Sequence, residues 1–170
     1  VLEQPKHLLI VRWDRIGDAV ATLPLIEAIH ESCPTMKVDV LCSEYNAWIF
    51  EDAVGINKII KCPGVGFSYG KKRLIKWLLS PFNFHQKKLL KDQIGQVKYD
   101  QCLDCVAGEY TALLRPFAIQ FIGPKTEDGF SWLYDAYPSV PLRYAKKTVA
   151  QYFFDHLCTI WGIKERQVTG

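Results

Sequence analysis

The sequence predicts an α/β domain built on a Rossmann-like, doubly wound parallel sheet. Two observations carry this expectation. Apolar stretches of strand length alternate along the chain with segments of helical periodicity, the pattern of parallel strands joined by crossover helices. The first of them, Leu8-Leu9-Ile10-Val11, is a continuous apolar run, as expected of a strand buried on both faces. It leads into Arg12-Trp13-Asp14-Arg15-Ile16-Gly17-Asp18, a turn with one glycine that opens a helix on an acidic residue. A buried strand, a tight turn and a helix are how such a domain builds a site at the carboxyl end of its first strand.

The elements follow in order. His7–Arg12 is expected as the first strand and Asp18–Ser32 as the first helix, with Val20, Leu23, Ile26 and Ile29 on its apolar stripe, widened by Leu25. Pro24 lies within that pattern, so the helix either kinks there or divides into two. Lys37–Cys42 alternates as a second strand, Glu44–Ala53 reads as a short helix, and Ile56–Cys62 as a third strand. After the loop Pro63-Gly64-Val65-Gly66 comes a basic segment from Gly70 to Val97, read as one or two helices broken near Ser80-Pro81. Gln101–Val106 is the expected fourth strand, Glu109–Phe117 a helix and Ala118–Ile122 the fifth strand. A polar loop runs from Gly123 to Gly129, and an irregular stretch from Ser131 to Leu142 contains Pro138 and Pro141. The final helix is expected over Ala145–Trp161, closed by Gly162 as its C-cap. Trp132, Tyr134 and Tyr137 read as packing residues beside a loop that could rim a cleft.

Composition narrows the function classes. A chain of 170 residues suits one domain, and 49% apolar with 23% charged residues is globular. No apolar run approaches the roughly 18 residues of a membrane span. The polar start Val1-Leu2-Glu3-Gln4-Pro5-Lys6 carries no secretory signal, and a first residue other than Met suggests a trimmed end. Cys33, Cys42, Cys62, Cys102, Cys105 and Cys158 lie mostly within apolar segments and are expected as buried thiols of a cytosolic protein. Cys102 and Cys105 form a C-x-x-C, but on a strand residues three apart face opposite sides, so no metal knuckle is expected. His7, His30, His85 and His156 show no paired metal-binding spacing, and no metal site is expected. One glycine in the first turn excludes the G-x-G-x-x-G dinucleotide fingerprint, and the P-loop pattern is absent.

Charge is unevenly spread. Lys71, Lys72, Arg73, Lys76, Lys87, Lys88, Lys91 and Lys98 face a single acid, Asp92, in one segment, and the rest of the chain is net negative. That asymmetry implies an anionic partner. The segment also carries Leu74, Ile75, Trp77, Leu78, Leu79, Phe82, Phe84, Leu89 and Leu90, the composition of a helix lying on anionic lipid. An ordinary solvated helix packed on the sheet is the competing reading. No nucleic-acid motif accompanies the basic patch.

At the first turn, Asp18 either caps the helix or takes a proton from a bound substrate. Gly17 is expected to permit a backbone conformation or close approach that a Cβ would block. Arg12, Asp14 and Arg15 flank the crevice, where an arginine could hold a phosphate bidentately or form a surface ion pair with Asp14.

The run Leu8 to Asp18, followed by Thr22-Leu23-Pro24-Leu25-Ile26-Glu27-Ala28-Ile29, resembles the amino end of glycosyltransferase family 9, the ADP-heptose:lipopolysaccharide heptosyltransferases. Pro34–Ser43, Val54–Cys62, the Tyr-Asp-x-x-x-Asp of Tyr99 to Asp104 within Tyr99–Gly108, and Lys146–Tyr152 to Trp161-Gly162-Ile163 resemble later pieces of that family in the same order. The Gly-Asp turn is the distinctive element. The chain differs from the family at Ala107-Gly108-Glu109-Tyr110, where many members have Gln-Gly and a basic residue, and at Asp14-Arg15, where many have small hydroxyl residues.

The resemblance implies the amino-terminal half of a GT-B fold, with residues 1–163 as an acceptor-side domain and 164–170 as the start of an interdomain linker or a cut end. It implies inverting transfer of heptose from ADP-heptose to the lipopolysaccharide inner core, with Asp18 as the base. The substrate-binding candidates are Arg12, Asp14, Arg15 and Gly17, together with Lys71, Lys72, Arg73 and Lys76 for acceptor anions and an anionic membrane. No cofactor is expected beyond the nucleotide-sugar donor, held mainly by a carboxyl-terminal domain outside this chain. The implied place is cytoplasmic, peripheral at the inner face of the inner membrane. The alternative is a non-catalytic α/β module that binds anionic lipid or a protein partner, a reading the differences at residues 107–110 favour.

Overall fold

The computed structural model describes residues 2–62, 88, 90–106, 114–126 and 130–168. Five strands are β1 (His7–Arg12), β2 (Lys37–Ser43), β3 (Lys58–Cys62), β4 (Tyr99–Asp104) and β5 (Ala118–Ile122). They form one all-parallel sheet in the order β3-β2-β1-β4-β5. This is the expected α/β class with a doubly wound strand order.

β1 sits at the centre. Leu8 and Ile10 point into the core on one face, and Leu9 and Val11 into the core on the other. All four are fully buried, and each such side chain contributes about 1.5–3 kcal/mol of burial. The first face is covered by α2 (Leu23–Ser32) and α3 (Val149–Trp161), which pack on each other. The second face carries Leu90 and Ile94 from a helical turn at 90–94, and Leu114.

The first helix divides at Pro24. α1 (Ile16–Val20) ends, the Thr22 hydroxyl donates to the Asp18 carbonyl at 2.8 Å, and α2 begins with Pro24 in its first turn. A proline there loses no hydrogen bond, because the first N–H groups of a helix have no partner anyway. Val20 consequently leaves the apolar stripe and is 48% exposed, and the core face is Leu25, Ile26, Ala28 and Ile29.

Other boundaries move for local reasons. β4 starts at Tyr99, earlier than expected, because Tyr99 pairs with Ala118 and its buried hydroxyl donates to Asp39 Oδ2 at 2.8 Å. It ends at Asp104, whose Oδ1 accepts the Val106 N–H at 2.9 Å and turns the chain. β3 starts at Lys58, because Asn57 donates its backbone N–H to Val38 and its side chain to Asp39. The helix expected over Glu44–Ala53 is only a 3₁₀ turn at Ala47–Phe50, where Ser43 and Asn46 side chains compete for the preceding backbone. Of the helix expected over Glu109–Phe117, only 114–117 is described, as a 3₁₀ turn. α3 begins at Val149 rather than Ala145, after a separate turn at Leu142–Tyr144 and a left-handed Lys146 (φ 51°). Thr148 Oγ1 caps it by accepting the Gln151 N–H, and Gly162 closes it in the left-handed region at φ 68°, as expected. Residues 164–168 lie back along α2 and α3, with Val168 N–H on Gln151 Oε1 at 2.7 Å and Arg166 ion-paired with Glu31.

All six cysteines are buried, and none is in a disulfide. Burial pushes the thiols of Cys42 and Cys105 up to about 12, so they stay protonated at neutral pH. Cys102 and Cys105 join opposite core faces, as strand geometry requires. No helix among the described residues is long and apolar enough to cross a membrane.

Of Trp132, Tyr134 and Tyr137, only Tyr134 is buried in the core. Trp132 is 75% exposed, against expectation, and Tyr137 lies under the Lys125 ammonium. The Tyr134 hydroxyl donates to Asp104 Oδ2 at 2.6 Å, and its ring fills the space a side chain on Gly123 would occupy. A Cβ at Gly123 would lie 2.3 Å from that ring, which is pinned at its far end. Gly123→Ala is therefore expected to cost about 1–3 kcal/mol, read as a lowered urea midpoint at unchanged m-value. An unshifted midpoint would contradict the packing described.

Candidate functional site

The strand order reverses between β1 and β4, so the chain leaves these neighbours in opposite directions and opens a crevice beyond their carboxyl ends. The Cys105 N–H donates to the Val11 carbonyl at 3.2 Å, the last link between the two strands before they part. The turn after β1 supplies one wall of the crevice and the turn after β4 the other.

On the first wall, Arg12 and Asp14 are buried, and Arg12 Nη1 donates to Asp14 Oδ2 at 2.9 Å. Arg12 therefore faces inward, and the surface ion pair entertained from sequence is an interior one. Burial pushes the Asp14 carboxyl above the ordinary range, an effect that the Arg12 guanidinium opposes. Arg12 stays protonated beside Cys105, Asp14 and Asp18. Arg12 Nε and Asp14 Oδ1 are buried without a hydrogen-bond partner among the described residues.

Arg15 is exposed at the N-cap position of α1, with extended backbone and no side-chain cap bond. Asp18 is not the cap. It is the third residue of the helix, in the first turn, where the positive end of the helix favours an acid. Its side chain is half-buried and has no hydrogen-bond or ion-pair partner among the described residues. Gly17 lies within α1 with no positive φ, and a Cβ there would meet nothing within 4 Å. The conformational reason expected for this glycine is absent, and what it leaves is open space on the exposed side of the turn.

On the second wall, Asp104 is fully buried, held by Tyr134 and Val106. Sequence reasoning placed Asp104 in a family-like motif but assigned it no role. It missed Asn46 altogether. Asn46 is fully buried beside the first wall and donates from Nδ2 to the carbonyls of Arg12 (2.9 Å) and Asp14 (3.2 Å). The only local signal is the Ser43-x-x-Asn46 spacing at a strand end, and nothing in it points to carbonyls more than thirty residues away.

The turn thus brings Arg12, Asp14, Arg15, Gly17 and Asp18 together at the crevice. Lys71, Lys72, Arg73 and Lys76, and the segment 107–110, lie outside the described residues. Among the described residues, no cluster of His, Cys, Asp or Glu could hold a metal ion.

No protein-family model and no curated protein sequence matches the chain. Solved structures do. An E. coli heptosyltransferase WaaC with ADP-2-deoxy-2-fluoro heptose superposes with a TM-score of 0.72 at 19% identity, over 96% of this chain and 51% of that one. A glycosyltransferase family 9 protein from Veillonella parvula gives 0.69 at 16% identity, over 97% and 43%. E. coli ADP-heptose lps heptosyltransferase II gives 0.61 at 14%, over 88% and 39%. The fold is therefore that of GT-B glycosyltransferase structures, as the sequence resemblance implied. The chain spans about half the length of the structures it matches.

The buried pair makes a prediction of its own. Arg12→Met leaves the Asp14 carboxylate uncompensated and is expected to cost about 3–5 kcal/mol. Adding Asp14→Leu should return most of that loss in chemical denaturation. A single variant as stable as the parent, or a double variant no better than the single, would refute the pairing.

Proposed function

We propose that this chain is the acceptor-side part of an inverting glycosyltransferase, and specifically of one that moves heptose from ADP-heptose to the lipopolysaccharide inner core. The observation that carries the reading is Asp18. It is a half-buried carboxylate, unpaired among the described residues, at the carboxyl end of the central strand and beside the topological switch point. The sequence resemblance assigns the base to that position, and the fold shared with heptosyltransferase structures supports it.

In this reading the acceptor hydroxyl donates its proton to Asp18 as its oxygen forms a bond to the anomeric carbon of the donor. The bond from that carbon to the diphosphate oxygen breaks on the opposite side, ADP leaves with the electron pair, and configuration inverts. Arg15, exposed at the turn, would hold an acceptor or donor anion. Arg12 acts from the interior, as a fixed positive charge behind the turn rather than a direct phosphate ligand. Nucleotide-sugar binding falls largely to sequence outside this chain, and no other cofactor is required. Lys71, Lys72, Arg73 and Lys76 would hold acceptor phosphates and carboxylates at an anionic, cytoplasm-facing membrane surface, with the protein attached peripherally.

Asp18→Asn, in the chain together with any sequence that follows Gly170, is expected to lower transfer from ADP-heptose by about 10²–10⁴-fold. Its circular dichroism should match the parent. A variant that transfers at the parental rate removes the base role and leaves the non-catalytic module. For the membrane contact, charge reversal at Lys71, Lys72 and Lys76 should abolish co-flotation with anionic vesicles. Flotation unchanged by the reversal would sink that part of the proposal.

A further inference from the structure

Between β1 and α1, residues 13–15 belong to no strand or helix, and the last β1–β4 backbone link is at Val11. Within the turn, Trp13 is buried in the core and Arg12 pairs with Asp14, but neither ties its backbone to a neighbouring element. We propose that Asn46 is the positioning residue of the crevice, fixing the β1–α1 turn and with it the place of Asp18. This rests on the reading of Asp18 as the base.

The geometry is complete on both sides of the amide. Asn46 Oδ1 accepts the Ser43 N–H at 3.0 Å and the Ser43 hydroxyl at 2.9 Å. Nδ2 donates to the Arg12 carbonyl at 2.9 Å and the Asp14 carbonyl at 3.2 Å. The orientation of the amide follows from its partners, because a backbone N–H can only donate and carbonyls can only accept. Both N–H groups and both lone pairs are used in a side chain with no solvent exposure. Asn46 is itself held, because its N–H closes a turn on the Ser43 carbonyl at 3.2 Å. The adjoining 3₁₀ turn Ala47–Phe50 packs against α1.

The clamp therefore joins the end of β2 to two carbonyls, those of Arg12 and Asp14, just before the N-cap of α1. From there Arg15 O accepts the Ala19 N–H at 3.0 Å, and the first helical turn carries Asp18. A general base must lie within hydrogen-bond reach of the proton it takes, and a displacement of about 1 Å can cost about a hundredfold in rate. Asn46 touches no reacting atom in this account. It acts through the backbone.

The decisive variant is Asn46→Asp. It keeps the acceptor atoms for Ser43 but sets a carboxylate, which cannot donate, against two carbonyls. Asn46→Ser is the milder companion, retaining a single hydroxyl donor. Ser43→Ala is the control, because it removes one bond to Oδ1 and leaves both bonds to the turn. All three are expected to lower Tm. Only the Asn46 variants should lower kcat for transfer from ADP-heptose, by about a hundredfold for Asn46→Asp, with the donor KM within about twofold of the parent. They should also speed amide hydrogen exchange selectively at residues 13–18. Parental kcat in both Asn46 variants, with Asp18→Asn inactive, would overturn the positioning role. Should Asp18→Asn itself prove active, the base reading falls instead. Hydrogen exchange then still decides the clamp, because unaltered exchange at residues 13–18 in the Asn46 variants refutes it.

Discussion

Everything at the crevice depends on β1 being held at the middle of the sheet with both faces buried. Leu8 and Ile10 on one side and Leu9 and Val11 on the other lock the strand between two close-packed cores. Its neighbours run in the same direction, and the chain departs from β1 towards β2 but returns to its other side at β4. A rigid central strand thus delivers Arg12 to Asp18 to the single place in the sheet where the connections part.

Such a strand needs its polar surroundings satisfied, and the two ends of the sheet differ in how they do this. At the amino ends, Asp39 accepts from His7, Asn57 and Tyr99, and Asp100 accepts the backbone N–H groups of Lys6 and His7. Each carboxylate there accepts two or more hydrogen bonds from neighbouring strand ends, as groups with a structural role do. At the carboxyl ends, Asn46 and Asp104 are likewise committed, but Asp18 is half-exposed without a partner among the described residues. The Arg12–Asp14 pair also keeps a buried donor and a buried acceptor without a partner among the described residues. Unspent polar capacity gathers at one end of the sheet, and that asymmetry favours the crevice as the working face.

Much of the fold was legible because its strongest signals are local. The alternation of buried and helical segments identified all five strands, with β1 and β5 at their observed limits. Gly162 announced the end of α3 by its ordinary preference for the left-handed cap. The misplaced boundaries belong to residues whose partners are distant in sequence. Tyr99 extends β4 because of Asp39, sixty residues away, and Asn46 abandons a helix to serve carbonyls at the end of β1 and in the turn after it. The same holds for the site. The Gly-Asp turn was visible, but the burial of Arg12, the true position of Asp18 within the first helical turn, and the clamp by Asn46 arise only from packing. Gly17 teaches the converse. Its small size suggested a backbone requirement, yet neither its φ nor any neighbouring atom demands a glycine.

We propose that an acceptor sugar binds at the carboxyl ends of β1 and β4. This is tested most directly by mapping amide chemical-shift changes on the ¹⁵N-labelled chain. The titrant is a soluble, phosphorylated acceptor fragment of the lipopolysaccharide inner core. Shifts are expected to concentrate at Asp14 to Asp18 and at Cys105 and Val106. Shifts confined to the amino ends around Asp39, Asn57 and Tyr99, or no shifts at saturating fragment, would contradict it.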